Sequence, residues 1–136
     1  MHNYPLMFII MCMSGILSTM NVWVDKYQDI RISINDVYMT LLMTGWMFFF
    51  MGMFYNDKPI ILFGLTLLLL MVWCIRTQFL VNQHQYIMGM IPHHSMAIHM
   101  SKKLLNTKPP IEPFLINLIH TQEKEIDTLK GSINKL

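Results

Sequence analysis

The sequence predicts an all-α protein in which three transmembrane helices are followed by an amphipathic two-helix hairpin. Of its 136 residues, 54% are apolar and only 13% are charged, and the charges avoid three long runs in the first part of the chain. After Val81 apolar residues recur at spacings of three and four among polar ones, which is typical of amphipathic helices. We therefore expect a transmembrane region over 1–81 and a helical hairpin over 82–136.

Three apolar runs approach the length that crosses a bilayer. Residues 1–24, 37–55 and 59–75 contain no charged side chain when His2 is taken as neutral. A helix needs roughly 20 apolar residues to span the hydrocarbon core, and in lipid each backbone group must pair within its own segment. We predict transmembrane helices near 5–24, 37–55 and 59–81. The first run lacks the basic start and the cleavage site of a signal peptide, so we expect it to be retained.

Short connections set the arrangement of these helices. Residues 56–59 read Asn-Asp-Lys-Pro, a run of turn formers, so the second and third helices should form an antiparallel hairpin. Lysine and arginine near the membrane are more numerous on the side of the C-terminal hairpin (Lys26, Arg31, Arg76) than on the other side (Lys58). By the positive-inside rule this charge count favours a cytoplasmic C-terminal hairpin.

The C-terminal part reads as two helices joined by a proline-rich breaker. The first carries an apolar stripe with Pro92 inside it. A proline there removes one backbone hydrogen bond, and it either kinks the helix or restarts it just before the adjacent histidines. Residues 106–113 contain three prolines and should end this helix. A final helix follows over about 112–130, with Gly131 as its expected C-terminal cap.

The densest group of metal-binding side chains lies in segment 88–100. It holds three histidines and four methionines: His93, His94, His99, Met88, Met90, Met96 and Met100. Imidazole and thioether are the neutral ligands that soft or borderline ions such as Cu(I) prefer. Helical spacing aligns His93 with the methionines at 90, 96 and 100, so one face of the helix can supply a ligand set. His94 aligns with Met90.

Two polar residues of the last helix occupy its inward stripe, where leucine would be expected. They are Gln122 and Glu125, and buried polar groups need partners, for which the histidine pair is suited. Glu125 either completes a metal site or orients a histidine by accepting its ring N–H. The alternative is a metal-free His–Gln/Glu network that only holds the hairpin together. His120 is expected to be exposed.

Several functional classes lack support in the sequence. The net charge of +2, without a basic run, gives no reason to expect a nucleic-acid partner. Cys12 and Cys74 fall inside predicted spans and should be small buried hydrophobes. The Glu-x-x-His pairs of carboxylate-bridged di-iron proteins are missing, as are the common hydrolase and nucleotide-binding motifs. We therefore expect no catalytic residues.

The histidine segment resembles a known family. The run Met90-Ile-Pro-His-His-Ser-x-Ala-Ile98, followed later by Gln122-x-x-Glu125-Ile126, is similar to the signature of the domain of unknown function 305 family. Segments within and after the second and third spans resemble a small subgroup with three transmembrane helices. The resemblance implies a ferritin-like helical half bundle. It also implies a copper site made by His93, His94, Gln122 and Glu125, with Met90, Met96 and Met100 as thioether ligands.

The sequence departs from the family pattern at two positions. Gln83 stands where many members carry an acidic residue, and His99 stands where an apolar residue or aspartate is more usual. The first change weakens a carboxylate contribution to the site, and the second can enlarge the site. Exported members place the domain outside the cytosol, so the orientation in the membrane stays open.

Together these features predict an integral, multi-pass membrane protein that binds copper for sequestration or homeostasis. The expected partners are the lipid bilayer, a second copy of the chain and other membrane proteins. The alternative is a structural membrane protein of a larger assembly, for which an AT-rich residue usage points to a virus or parasite. A redox enzyme that uses the bound metal is a third, weaker alternative.

Overall fold

The computed structural model describes residues 2–136 and confirms the predicted all-α class. The α-helices are α1 (Tyr4–Leu17), α2 (Ile34–Phe54), α3 (Lys58–Thr77), α4 (Gln83–Leu105) and α5 (Glu112–Ile133). Two short 3-10 helices, Met20–Trp23 and Tyr27–Asp29, lie between α1 and α2. No strand occurs among the described residues.

The chain forms two compact units. The first consists of the residues up to Thr19 together with Ile34–Val81, and the second of Met20–Ser33 together with Asn82–Leu136. The segment Met20–Ser33, which the sequence assigns to the transmembrane region, therefore belongs to the same unit as α4 and α5. The side-chain amide of Asn21 ties the two ends of this segment together, since it donates to Arg31 O at 2.6 Å and accepts from Arg31 N at 3.0 Å.

Three stretches in the structure are long and apolar enough to cross a membrane. They are Tyr4–Trp23, Ile34–Phe54 and Lys58–Thr77. In the first, α1 ends at Leu17, before the predicted end at 24, and the chain continues into a 3-10 helix. In the third, the helix ends four residues before the predicted 81, because Gln78 adopts a left-handed backbone conformation with φ of 50°, which terminates an α-helix.

Within the first unit, α2 and α3 approach each other closely at glycines. A Cβ atom on Gly64 would lie 2.8 Å from Gly45 O, and one on Gly45 would lie 3.0 Å from Leu68 N. Only glycine permits backbones to come this near. Farther along the pair, Tyr38 is buried with Cys74, and its hydroxyl donates to Phe79 O at 2.6 Å.

The second unit is built around isoleucines from α4 and α5. Ile87, Ile91, Ile98 and Ile126 are almost fully buried and form a single cluster. Helix α4 runs without interruption through Pro92, so of the two alternatives for this proline, the restart of the helix before the histidines does not occur. A proline removes only one helical hydrogen bond, and Pro92 is itself a buried residue of the helix.

The end of α5 also differs from the prediction. The helix continues to Ile133 with Asn134 at its C-cap, so the interpretation of Gly131 as the cap is wrong. Gly131 costs a helix interior only about 1 kcal/mol relative to alanine, which the packing of Ile133 against the isoleucine cluster offsets.

Candidate functional site

The structure brings three of the candidate site residues together. His94 Nδ1 lies 3.2 Å from Glu125 Oε2, and Gln122 Nε2 donates to the same carboxylate oxygen at 3.3 Å. His94 is on α4, and the two polar residues are one turn apart on α5. The side chain of His94 is 12% exposed and that of Glu125 is 48% exposed. Glu125 therefore stands at the edge of the helix pair rather than within the buried stripe where the sequence placed it.

The contact between His94 and Glu125 is close in distance but does not have the geometry of a hydrogen bond. Among the described residues, His94 Nδ1 is a buried side-chain atom without a hydrogen-bond partner. Buried polar groups are nearly always paired, so a buried ring nitrogen of this kind needs an explanation. Nδ1 of His94 is thus an atom that can bind a metal ion, and it lies next to the carboxylate of Glu125 without a hydrogen bond.

A cavity opens beside this pair. Its volume is about 420 Å³, and its lining comprises Tyr86, Met90, His94, Glu125, Thr128 and Leu129. Met90 precedes His94 by one helical turn, so the thioether and the imidazole lie on the same face of α4. The cavity is thus bordered by one sulfur, one nitrogen and one carboxylate donor.

The surroundings of His94 favour the neutral form of its imidazole. Burial lowers its pKa below the ordinary value; the nearby carboxylate of Glu125 opposes this shift, and the neighbouring His93 adds to it. Burial disfavours the charged form of a histidine, and only the neutral form can bind a metal ion. Burial of His94 therefore favours the protonation state that a metal ligand needs.

The other candidate ligands lie outside this cavity. His93 is exposed, with its ring centre 6.0 Å from that of His94. Met96 and His99 are half-buried, and Met100 is 50% exposed. Within residues 2–136, no three His, Cys, Asp or Glu side chains are grouped so that they could hold a metal ion by themselves. A metal ion at His94 would therefore have to use the thioether of Met90 or the amide of Gln122 as well.

A second polar cluster lies on another side of the same unit, and no sequence pattern predicted it. Ser95 Oγ donates to Asp29 Oδ2 at 2.7 Å and accepts from Asp25 N at 2.9 Å. Lys130 Nζ donates to Asp29 Oδ1 at 2.5 Å, and Lys102 Nζ donates to Asp25 Oδ2 at 2.7 Å. The only signal in the sequence is a serine, Ser95, next to the histidine pair on a helix whose buried face also carries three isoleucines.

Comparison with known proteins agrees with the resemblance noted in the sequence. The sequence model of a domain of unknown function, DUF305, matches residues 80–133, which cover α4, α5 and their connection. A relative, the uncharacterized protein L153 of Acanthamoeba polyphaga mimivirus, is 39% identical over an alignment of 137 residues that covers 96% of this chain and 90% of the relative. No solved structure matches the chain significantly. The chain belongs to the DUF305 family, because the family domain matches its C-terminal part and a relative is similar to it along nearly the whole length of both proteins.

Proposed function

We propose that the protein is a multi-pass membrane protein whose α4–α5 hairpin binds a copper ion, for copper sequestration or homeostasis. The observation that carries this proposal is the buried Nδ1 of His94. It has no hydrogen-bond partner among the described residues, yet it lies 3.2 Å from a carboxylate and beside a cavity. A metal ion between the imidazole and Glu125 would satisfy both groups.

The chemistry of the donors favours copper over harder ions. Thioether sulfur selects soft ions such as Cu(I), and imidazole suits both Cu(I) and Cu(II). Met90 and His94 supply one donor of each kind to the same cavity. Glu125 supplies the third donor, and Gln122 holds its carboxylate in place from the same helix. Magnesium or calcium would instead need several oxygen ligands.

The exposed histidine and methionines have a separate role in this proposal. His93 and Met100 are about 20° apart around the helix, because seven residues make nearly two turns, and both are exposed. Met96 lies on the neighbouring part of that face. We assign these residues to the capture of the ion from solution before it reaches the cavity at His94.

The placement in a membrane rests on the three apolar stretches. Each contains 20 or 21 residues, which is the length a helix needs to cross a bilayer. The lipid bilayer is then the first partner. A second copy of the chain is the next, since α4 and α5 supply two helices of what is usually a four-helix arrangement. No catalytic role is proposed.

A second candidate function is a structural role in a larger assembly, in which the His94–Glu125–Gln122 group only fixes the hairpin. Two observations favour it. His94 and Gln122 both lie within 3.3 Å of the same carboxylate oxygen of Glu125, across the two helices of the hairpin, and the relative that is 39% identical is encoded by a virus. In this case the protein would fold and assemble normally without copper.

The test is a Cu(I) titration of the full chain, purified in detergent, against a chromogenic chelator that competes for the ion. The double variant His93→Ala/His94→Ala should lose binding, and His94→Ala alone should lose most of it. His120→Ala is the matched control, because His120 is an exposed histidine on α5. If the unmodified protein is folded and does not compete for copper, the structural role is the better account.

A further inference from the structure

We propose that Asp29 is a positioning residue for the His94–Glu125 site, although it lies in the segment before α2, about 65 residues away in sequence from His94. This inference rests on the proposed function of that site. In this view Met20–Ser33 is a third element of the metal-binding unit. The carboxylate of Asp29 fixes how α4 and α5 face each other.

Asp29 contacts each of the two helices that carry the site. One carboxylate oxygen accepts the hydroxyl of Ser95 on α4, and the other accepts the ammonium of Lys130 on α5. Its side chain is 3% exposed. A buried carboxylate is costly unless its oxygens are paired, so the position of Asp29 is stable only while both helices present their donors to it.

These contacts lie close to the candidate ligands along each helix. Ser95 directly follows His94, and Lys130 is five residues after Glu125. Each residue of an α-helix turns the chain by 100° and advances it by 1.5 Å. A slip of α4 by one residue would therefore turn His94 away from Glu125, and it would break the bond between Ser95 and Asp29 at the same time.

The hydrophobic core of this unit selects which face of α4 is buried, but it fixes the positions of the polar groups less precisely than hydrogen bonds do. It consists mainly of isoleucines from α4 and α5, and apolar contacts are not directional. The hydrogen bonds of Asp29 are directional; the one from Ser95 is buried, and the one from Lys130 is partly buried. Asp25 adds a weaker restraint, because its partner Lys102 is 41% exposed and exposed ion pairs contribute little.

The test is a double-mutant cycle on the full chain in detergent, with Asp29→Asn, Glu125→Gln and the combination of both. The first measurement is Cu(I) affinity. Asp29→Asn should weaken binding by roughly 10- to 100-fold, as loss of an outer partner of a metal site does. Glu125→Gln should weaken binding in the unmodified protein and have little further effect beside Asp29→Asn. Additive effects of the two substitutions would overturn the proposal.

A second measurement uses the metal-free protein and so separates this inference from copper binding. The ¹⁵N chemical shift of His94 Nδ1 is recorded at about pH 8, where an ordinary imidazole is neutral. Glu125→Gln should change this shift in the unmodified protein and leave it unchanged in the Asp29→Asn background. If the chain binds no copper but this pattern appears, the proposed function fails and the positioning role stands.

Two further variants keep the cycle interpretable. Asp127→Asn is the control, since Asp127 is an exposed carboxylate on α5 that lines a cavity together with Asp29; copper affinity and the His94 shift should both stay unchanged. If Asp29→Asn does not fold, Ser95→Ala takes its place, because it breaks only the contact to α4. A Ser95→Ala protein that retains the full effect of Glu125→Gln on the His94 shift would contradict the proposal.

Discussion

Ser95 donates a hydrogen bond of 2.7 Å to Asp29, and both side chains are almost completely buried although 66 residues separate them in the chain. This bond attaches the segment Met20–Ser33 to α4. The backbone N–H of Asp25 reaches the same serine oxygen at 2.9 Å. The hydroxyl of Ser95 therefore acts as donor and acceptor at once, and both of its partners belong to a segment far away in sequence.

The first prediction concerns the stability of the second unit. Ser95→Ala should lower its free energy of unfolding by about 1–3 kcal/mol, because the substitution leaves an oxygen of Asp29 buried and without its donor. Amide hydrogen exchange in α4 and α5 measures this change. Ser132→Ala is the matched control, since that hydroxyl donates to Thr128 O of its own helix. Equal exchange rates in both variants would show that the buried bond contributes nothing.

The second prediction concerns the glycine contact between α2 and α3. Gly64→Ala should destabilise the first unit by about 1–3 kcal/mol, the usual range for overpacking, because the added methyl group meets the backbone of α2. Gly131→Ala serves as the control, because a Cβ there meets nothing within 4 Å. That change should stabilise α5 by about 0.5–1 kcal/mol. Thermal unfolding in detergent, followed by circular dichroism, distinguishes the two directions.

The three apolar helices can be predicted from the sequence, because each corresponds to a long run without charged residues. The residues at which these helices end cannot be predicted so directly. Gln78 ends α3 in a left-handed conformation with φ of 50°, and its side chain exchanges hydrogen bonds with Asn35 at 3.2 and 3.3 Å. A glutamine has no local preference for that conformation. Its position is fixed by a contact between two helices, which no single window of sequence contains.

Only part of the candidate site could be predicted, because contacts between distant segments are not visible in a single window of sequence. The 3.6-residue period of α5 correctly put Gln122 and Glu125 on the side of His94, but it could not tell that Glu125 would be about half exposed. Asp29 was not predicted at all. It lies in a short polar connection without periodicity, and its burial depends on donors from two helices later in the chain.

The third prediction concerns pH. Burial lowers the pKa of His94 in the folded, metal-free protein, so the unfolded chain takes up a proton first as the pH falls. The contribution of His94 to stability is complete above a pH of about 6.5, the ordinary imidazole value. It decreases as the pH falls from there toward the lowered pKa of the folded state.

Chemical unfolding at a series of pH values measures this effect. His94→Gln should reduce the slope of stability against pH in that range, whereas His120→Gln, at an exposed position of α5, should leave the slope unchanged. An unaltered slope in the His94→Gln protein would falsify the assignment of this pH dependence to the buried imidazole.

The fourth prediction concerns which metal the site prefers. Met90→Leu removes the sulfur that borders the cavity of His94 and Glu125 while nearly conserving side-chain volume, so the fold should tolerate it. Cu(I) affinity should fall at least tenfold, the lower bound for the loss of even an outer partner. Zn(II) affinity should fall less, since thioether selects the softer ion.

Competition titrations with both ions measure the two changes. Met88→Leu is the control, because Met88 is on α4 but does not line the cavity. Equal losses for copper and zinc would mean that the sulfur of Met90 does not contact the ion, and that the imidazole and the carboxylate bind it without help from the thioether.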